Sequence, residues 1–125
     1  MYRVTVERSF VAQHFLTVPD PGPEGEVHSH RFTAEVGFEG PELDEFGYLV
    51  DIDAVKAATT TVVDRYRDTT LNDHEPFAGE NPSVERFARI FCEAVVAEVD
   101  ADVPERARVK LWEDDEAWAS YETAL

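Results

Sequence analysis

Apolar and polar residues alternate from Tyr2 to His14, with Val4, Val6, Phe10, Ala12 and His14 on one parity. Period-two alternation puts such residues on one face of a β-strand, so a strand is expected here, with a bend near Arg8–Ser9. Pro19, Pro21, Gly22, Pro23 and Gly25 follow, a loop that cannot hold a ladder. Alternation returns over His28–Phe38, where His28, His30, Phe32, Ala34, Val36 and Phe38 share a face, and Gly37 and Gly40-Pro41 close the strand. The two strands are expected to pair antiparallel through the loop.

Gly47–Ile52 reads as a short extended apolar piece, and Asp53 as the cap of a helix in which Val55, Thr59, Val62 and Tyr66 recur at helical spacing. Three consecutive threonines, Thr59–Thr61, weaken that helix's intrinsic propensity. A second helix begins near Asn81-Pro82-Ser83-Val84-Glu85, with Asn81 as cap, Pro82 in the first turn and Glu85 at the positive end. Val84, Phe87, Ala88, Phe91 and Val95 line its apolar face. Val109, Leu111 and Glu113 alternate as a third strand, and Trp118–Tyr121 as a short fourth. The order ββααββ predicts an α+β layer pair, an antiparallel sheet covered on one face by two helices. Residues 1–125 are expected to form a single domain, without internal repeat.

Composition narrows the setting. Hydrophobic residues at 43% suit a folded chain, and Asp plus Glu outnumber Lys plus Arg 27 to 11, for a net charge of −16. Lysine occurs only at positions 56 and 110. This surface repels nucleic acid and anionic membranes, so neither is an expected partner. Self-repulsion on this scale eases in molar salt, where the Debye length falls to about 3 Å, and a salt-loving cytoplasm is the expected home. No apolar run reaches the ~20 residues that span a bilayer. The one cysteine, Cys92, cannot form an internal disulfide or build a thiolate metal site alone.

The histidines carry the first chemistry. His28 and His30 are two apart on a strand and project from one face. Antiparallel pairing brings His14 beside them. Three neutral imidazoles so gathered make a three-histidine zinc site with one tetrahedral position open, the catalytic arrangement. The plain alternative is a set of surface histidines on an exposed strand end.

Phe10-x-Ala12-x-His14, His28-x-His30, Gly47-Tyr48-Leu49-Val50-Asp51-Ile52, Leu71-Asn72-Asp73, Asn81-Pro82-Ser83-x-Glu85 and Val109-x-Leu111-x-Glu113 follow one another in order. This series resembles the 6-pyruvoyltetrahydropterin synthase / 6-carboxytetrahydropterin synthase family over nearly the whole chain. The resemblance implies the tunnelling fold (T-fold), a four-stranded antiparallel sheet with two helices, whose trimers close a barrel and stack into hexamers. It implies an enzyme that binds zinc through His14, His28 and His30, with Ser29 in place of the glycine of the family's His-Gly-His. It also implies a pterin substrate, 7,8-dihydroneopterin triphosphate, held by Glu113, with Ser83 among the substrate-binding residues. Known products include 6-pyruvoyl, 6-carboxy and 6-hydroxymethyl pterins; the carboxy product leads toward the deazapurine of tRNA. Glu113 suits its role because a carboxylate accepts two parallel N–H bonds from an aminopyrimidine edge. As a plain acid it would begin a solvated turn with Asp114, Asp115 and Glu116.

The pattern breaks at the catalytic groups. The family's cysteine, four residues before the first histidine of His-x-His, is replaced by Glu24, and its Asp-His dyad by Arg67 and Asp68. Cys92 sits beside the apolar face of the second helix, where a small buried hydrophobe is expected. One reading makes Glu24 the base, with Glu26 as a nearby candidate, and Asp68 a second acid/base group. Another lets His74 supply the missing imidazole. A third keeps the zinc pocket without the lyase chemistry, as a pterin- or purine-binding protein. Arg31, Arg65, Arg67, Arg86 and Arg89 are candidates for the triphosphate, without a clear cluster.

Overall fold

The computed structural model describes residues 1–125. Strands β1 (Tyr2–His14) and β2 (His28–Gly40) precede helices α1 (Ile52–Tyr66) and α2 (Val84–Glu98), and β3 (Arg106–Trp112) and β4 (Trp118–Ala124) follow. The expected ββααββ order holds. The four strands form one antiparallel sheet in the order β1-β2-β3-β4.

Strand β1 pairs with β2 without interruption from Tyr2↔Gly40 to His14↔His28, so the bend expected near Arg8–Ser9 is absent. The even positions carry one continuous apolar face, interrupted at Arg8, and uninterrupted pairing keeps that face in register. Val6, Phe10, Ala12, Phe32, Ala34, Val36, Phe38, Val109 and Leu111 are buried beneath the helices. Helix α1 lies on β1, and α2 lies on β3 and β4 and against α1. Phe87 of α2 meets Phe10, Phe32, Tyr66, Phe77 and Phe91, most of them edge-on, and ties sheet to helices.

Local chemistry differs from the sequence reading at both helix starts. Asp51, not Asp53, caps α1: its carboxylate accepts from the Asp53 and Ala54 N–H groups. Ser83, not Asn81, caps α2, accepting from Arg86 N–H. In each case the capping side chain stands in extended backbone just ahead of the first turn, where orphan N–H groups point. Gly47–Ile52 adds no strand; its Leu49 and Val50 tuck into the core while Tyr48 stays exposed. Strand β4 runs on to Ala124 because β3 offers partners as far as Arg106. Buried Thr59 returns its hydroxyl proton to Val55 O, which removes the cost of an unpaired polar group in the core.

The other sheet face has no helix on it. It carries a ladder of charges in which Arg3 and Arg106 flank Glu39, and Arg106 also meets Glu122. Strands β1 and β4 are its edges.

Candidate metal centre and substrate pocket

The uninterrupted β1–β2 register sets His14 directly across from His28, with His30 one step along the same face. The ring centroids lie 4.6 Å (His14–His28), 5.1 Å (His14–His30) and 4.9 Å (His28–His30) apart. One ligand atom from each falls within 4.8 Å of the others. The rings are steeply inclined to one another, so edges rather than faces converge.

Outer hydrogen bonds fix the tautomers of two rings. His14 Nδ1 lies 2.9 Å from Pro82 O, and His28 Nδ1 lies 2.8 Å from Glu26 O. A carbonyl only accepts, so each Nδ1 carries the proton and each Nε2 keeps its lone pair. The Nε2 atoms of all three histidines are buried and have no hydrogen-bond partner. Three unpartnered Nε2 atoms aimed at one place, two of them fixed as acceptors, would be costly in a plain core. They are what a zinc ion with nitrogen ligands needs, so the residues fit the metal that the sequence suggests. His14 is 2% exposed, and burial holds its pKa below the ordinary 6.5, with the neighbouring His28 and His30 acting the same way. The Pro82 carbonyl and the Glu24 charge pull in the opposite direction without reversing the shift. A neutral ring is the form that ligates.

Two loops hold this strand end. Asn72 accepts from Phe15 N–H and donates to Phe15 O, and Asn81 accepts from Thr17 N–H. The Leu71-Asn72-Asp73 and Asn81-Pro82-Ser83 segments thus clamp the chain just beyond His14. The sequence does not show these contacts; Asn81 beside Pro82 and Asn72 in a polar loop are the available signals, and neither names a partner.

Glu113 follows β3 and stands on the same side as the imidazoles. Its Oε1 is 3.4 Å from His30 Nε2 and 3.7 Å from His14 Nε2. The β3–β4 turn that positions it is tied by Asp114, whose carboxylate accepts from Glu116 and Ala117 N–H; these bonds hold the Asp114 pKa below its usual range. An open polar pocket of about 590 Å³ adjoins His30 and Glu113, lined also by Ser29, Arg31, Thr33 and Asp114.

The remaining candidates are spread out. Glu24 is exposed in a 3-10 turn, Gly22–Gly25, whose left-handed Gly22 (φ 66°) lets the loop fold back; Glu24 O accepts from Leu16 N–H, two residues beyond His14. Its charge is felt at His14. Asp68 is exposed just after α1 in left-handed backbone (φ 58°), held by its N–H to Val11 O. His74 packs on Tyr66, and its Nε2 lies 2.8 Å from the Thr69 hydroxyl. Because that hydroxyl gives its own proton to Tyr66 O, His74 Nε2 is the donor. Neither Asp68 nor His74 touches the imidazole cluster within the protomer. Ser83 caps α2 next to Pro82, one bond from the carbonyl that orients His14. Of the five arginines considered for phosphate, Arg65, Arg67, Arg86 and Arg89 pair with Glu98, Asp64, Glu80 and Glu93. Arg31 has no ion pair and borders the pocket.

A family model described as 6-pyruvoyl tetrahydropterin synthase matches residues 3–124. The chain is 33% identical over 93 residues to the 6-carboxy-5,6,7,8-tetrahydropterin synthase of Bacillus subtilis, a stretch that covers 71% of this chain and 62% of that relative. It is 32% identical over 117 residues, 93% of this chain and 91% of the relative, to an Archaeoglobus fulgidus protein provisionally named as the same synthase. Solved structures agree on the fold. The 6-pyruvoyl tetrahydropterin synthase of Caenorhabditis elegans superposes with a TM-score of 0.79 at 24% identity, covering 98% of this chain and 97% of that one. A Plasmodium vivax 6-pyruvoyltetrahydropterin synthase, studied with a catalytic glutamate replaced by alanine, gives 0.81 at 15% identity, covering 99% and 98%. With its fold, its order of elements and nearly its whole length matched, this chain belongs to the 6-pyruvoyl tetrahydropterin synthase family.

Proposed function

We propose that this protein is a zinc-dependent lyase acting on 7,8-dihydroneopterin triphosphate or a close analogue, with 6-carboxytetrahydropterin as the favoured product. A 6-pyruvoyl or 6-hydroxymethyl pterin is the alternative outcome of the same site. The observation that carries this reading is the convergence of three orphaned Nε2 atoms beside Glu113 in a chain of this family. Both sequence relatives are named for the 6-carboxy product, which favours it.

His14, His28 and His30 would hold the metal, which supplies Lewis-acid polarisation of side-chain oxygens on the pterin. Glu113 accepts the paired N–H donors of the aminopyrimidine ring and fixes its orientation. Glu24 takes the place of the family's cysteine as proton acceptor. It sits on a loop fastened to the residues after His14, and the P. vivax relative also has a catalytic glutamate. Arg31, without an ion pair, borders the pocket from the sheet face opposite the imidazoles and is the remaining arginine candidate for the phosphates. Ser83 contributes through its position next to Pro82, whose carbonyl orients His14. Asp68 and His74 lie away from the imidazoles of their own protomer. As acid/base groups they would serve a site shared with a neighbouring copy, which suits a trimer-based hexamer closed through the free edges of β1 and β4. Residues 1–125 form a single domain in this reading, and its setting is a cytoplasm rich in salt.

A second reading is favoured by the altered catalytic positions: a zinc-containing pterin-binding protein without lyase activity. Two measurements decide. Metal analysis of freshly purified protein is expected to give about one zinc per chain, and folded protein without zinc overturns both readings. Incubation with dihydroneopterin triphosphate, with products identified by mass, is expected to yield the carboxy compound together with acetaldehyde and triphosphate. Binding of the pterin without turnover selects the second reading. Glu24→Ala is expected to lower turnover on the order of a hundredfold or more while sparing metal content, and unchanged turnover removes Glu24 as the base.

A further inference from the structure

Glu113 faces the metal side of the cluster as well as the pocket. Its Oε1 lies 3.4 Å from His30 Nε2 and 3.7 Å from His14 Nε2, leaning toward these two rings rather than His28. On His14 the ring proton is already committed to Pro82 O, so a lone pair faces a carboxylate oxygen. Two electron-rich atoms at such a distance repel unless a cation lies between them. A bridging proton fits poorly, because charge-assisted N–H···O bonds run at about 2.7–2.9 Å. A metal fits well. Ligand atoms bound tetrahedrally to zinc at about 2.0–2.1 Å lie about 3.3 Å from one another.

Resting on the zinc reading above, we infer that Glu113 Oε1 is the fourth ligand of the ligand-free protein, and that a pterin opens the site by drawing this carboxylate away. Two parallel N–H donors on the incoming ring need both carboxylate oxygens, so anchoring and ligation compete for one group. The competition is a specificity device. A molecule lacking the paired donors finds the fourth position closed. Glu113 is half-buried at a strand end and borders the open pocket into which it would turn.

The cobalt-substituted protein tests this through its visible absorption, with azide as probe for an open position. Azide is expected to leave the wild-type spectrum unchanged at concentrations that alter the spectrum of Glu113→Ala. Zinc affinity of Glu113→Ala is expected to fall on the order of ten- to a hundredfold. Adding unsubstituted pterin, which has the paired donors but no side chain to ligate the metal, to the wild-type cobalt protein is expected to shift the spectrum, whereas lumazine, which lacks the 2-amino group, is not. Equal azide response in both proteins, or equal zinc affinity, overturns the ligand assignment while leaving the three-histidine site intact. An unchanged spectrum with unsubstituted pterin overturns the release step. Failure of the wild type to take up zinc or cobalt overturns the zinc reading itself. The pterin arm uses folded wild-type protein alone, and cobalt uptake by Glu113→Ala shows that the variant is folded before its azide response is compared.

Discussion

His14 is asked to be a neutral base in a place where water would normally help it take a proton. Burial is the main reason its pKa falls, and the two neighbouring rings reinforce it. As pH drops below about 6.5, an unfolded chain binds a proton on this residue before the folded chain does, so folding weakens. Metal-free protein is therefore expected to lose stability as pH falls through and below about 6.5. Thermal unfolding of the chelated protein across pH checks this, and a flat profile from pH 7 to 5 would contradict it. Asn72 acts on the same strand end through two hydrogen bonds to Phe15. Asn72→Ala leaves both Phe15 groups unpaired and is expected to cost about 1–3 kcal/mol. It is also expected to weaken zinc binding, read by denaturant unfolding and metal titration.

The second helix links stability to the site. Ser83→Ala removes its N-cap bond and is expected to cost about 1 kcal/mol, with Ser83→Asp restoring most of it. Phe87→Ala empties the place where α2 meets sheet and α1, and is expected to cost about 3–5 kcal/mol. Thermal or denaturant melts order the two; a cost for Phe87→Ala below that of Ser83→Ala contradicts the packing account. Cys92 lies on the buried side of α2, where burial pushes its thiol pKa up to about 11. It stays protonated and shielded, so thiol reagents are expected to label it only as the chain unfolds.

The molecule as a whole carries −16 of net charge with few strong clusters of cations to offset it. Its ion pairs are mostly exposed, such as Arg65–Glu98 and Arg67–Asp64, and each contributes little. The dominant electrostatic effect is self-repulsion, which molar salt screens within about 3 Å. The unfolding temperature is expected to rise as potassium chloride is raised from low to molar concentration, and a constant or falling value contradicts this account. Beyond Val11–Gln13, which the Asp68–Thr70 segment covers, the outer edges of β1 and β4 carry unpaired backbone, a liability that the proposed assembly would remove. Light scattering in high salt is expected to give a mass in multiples of three chains; a monomer at working concentration contradicts the proposed assembly.

Local regularity made most of the fold legible. Period-two alternation marked β1 and β2, and proline with glycine marked the break between them, because both signals act between near neighbours in the chain. The same regularity placed His14, His28 and His30 on one face, since strand parity and antiparallel pairing are local rules with a single hairpin as hinge. Each cap sits two residues from its expected position, Asp51 rather than Asp53 and Ser83 rather than Asn81, because neighbouring acids, amides and hydroxyls offer the same chemistry. What only the tertiary structure decided lies across long separations: Pro82 O on His14 Nδ1, 68 residues away, Asn72 on Phe15, 57 away, and Glu113 against two orphaned imidazole nitrogens. No sequence period encodes such meetings, because they follow from how the helices settle on the sheet, and packing is a property of the whole chain at once.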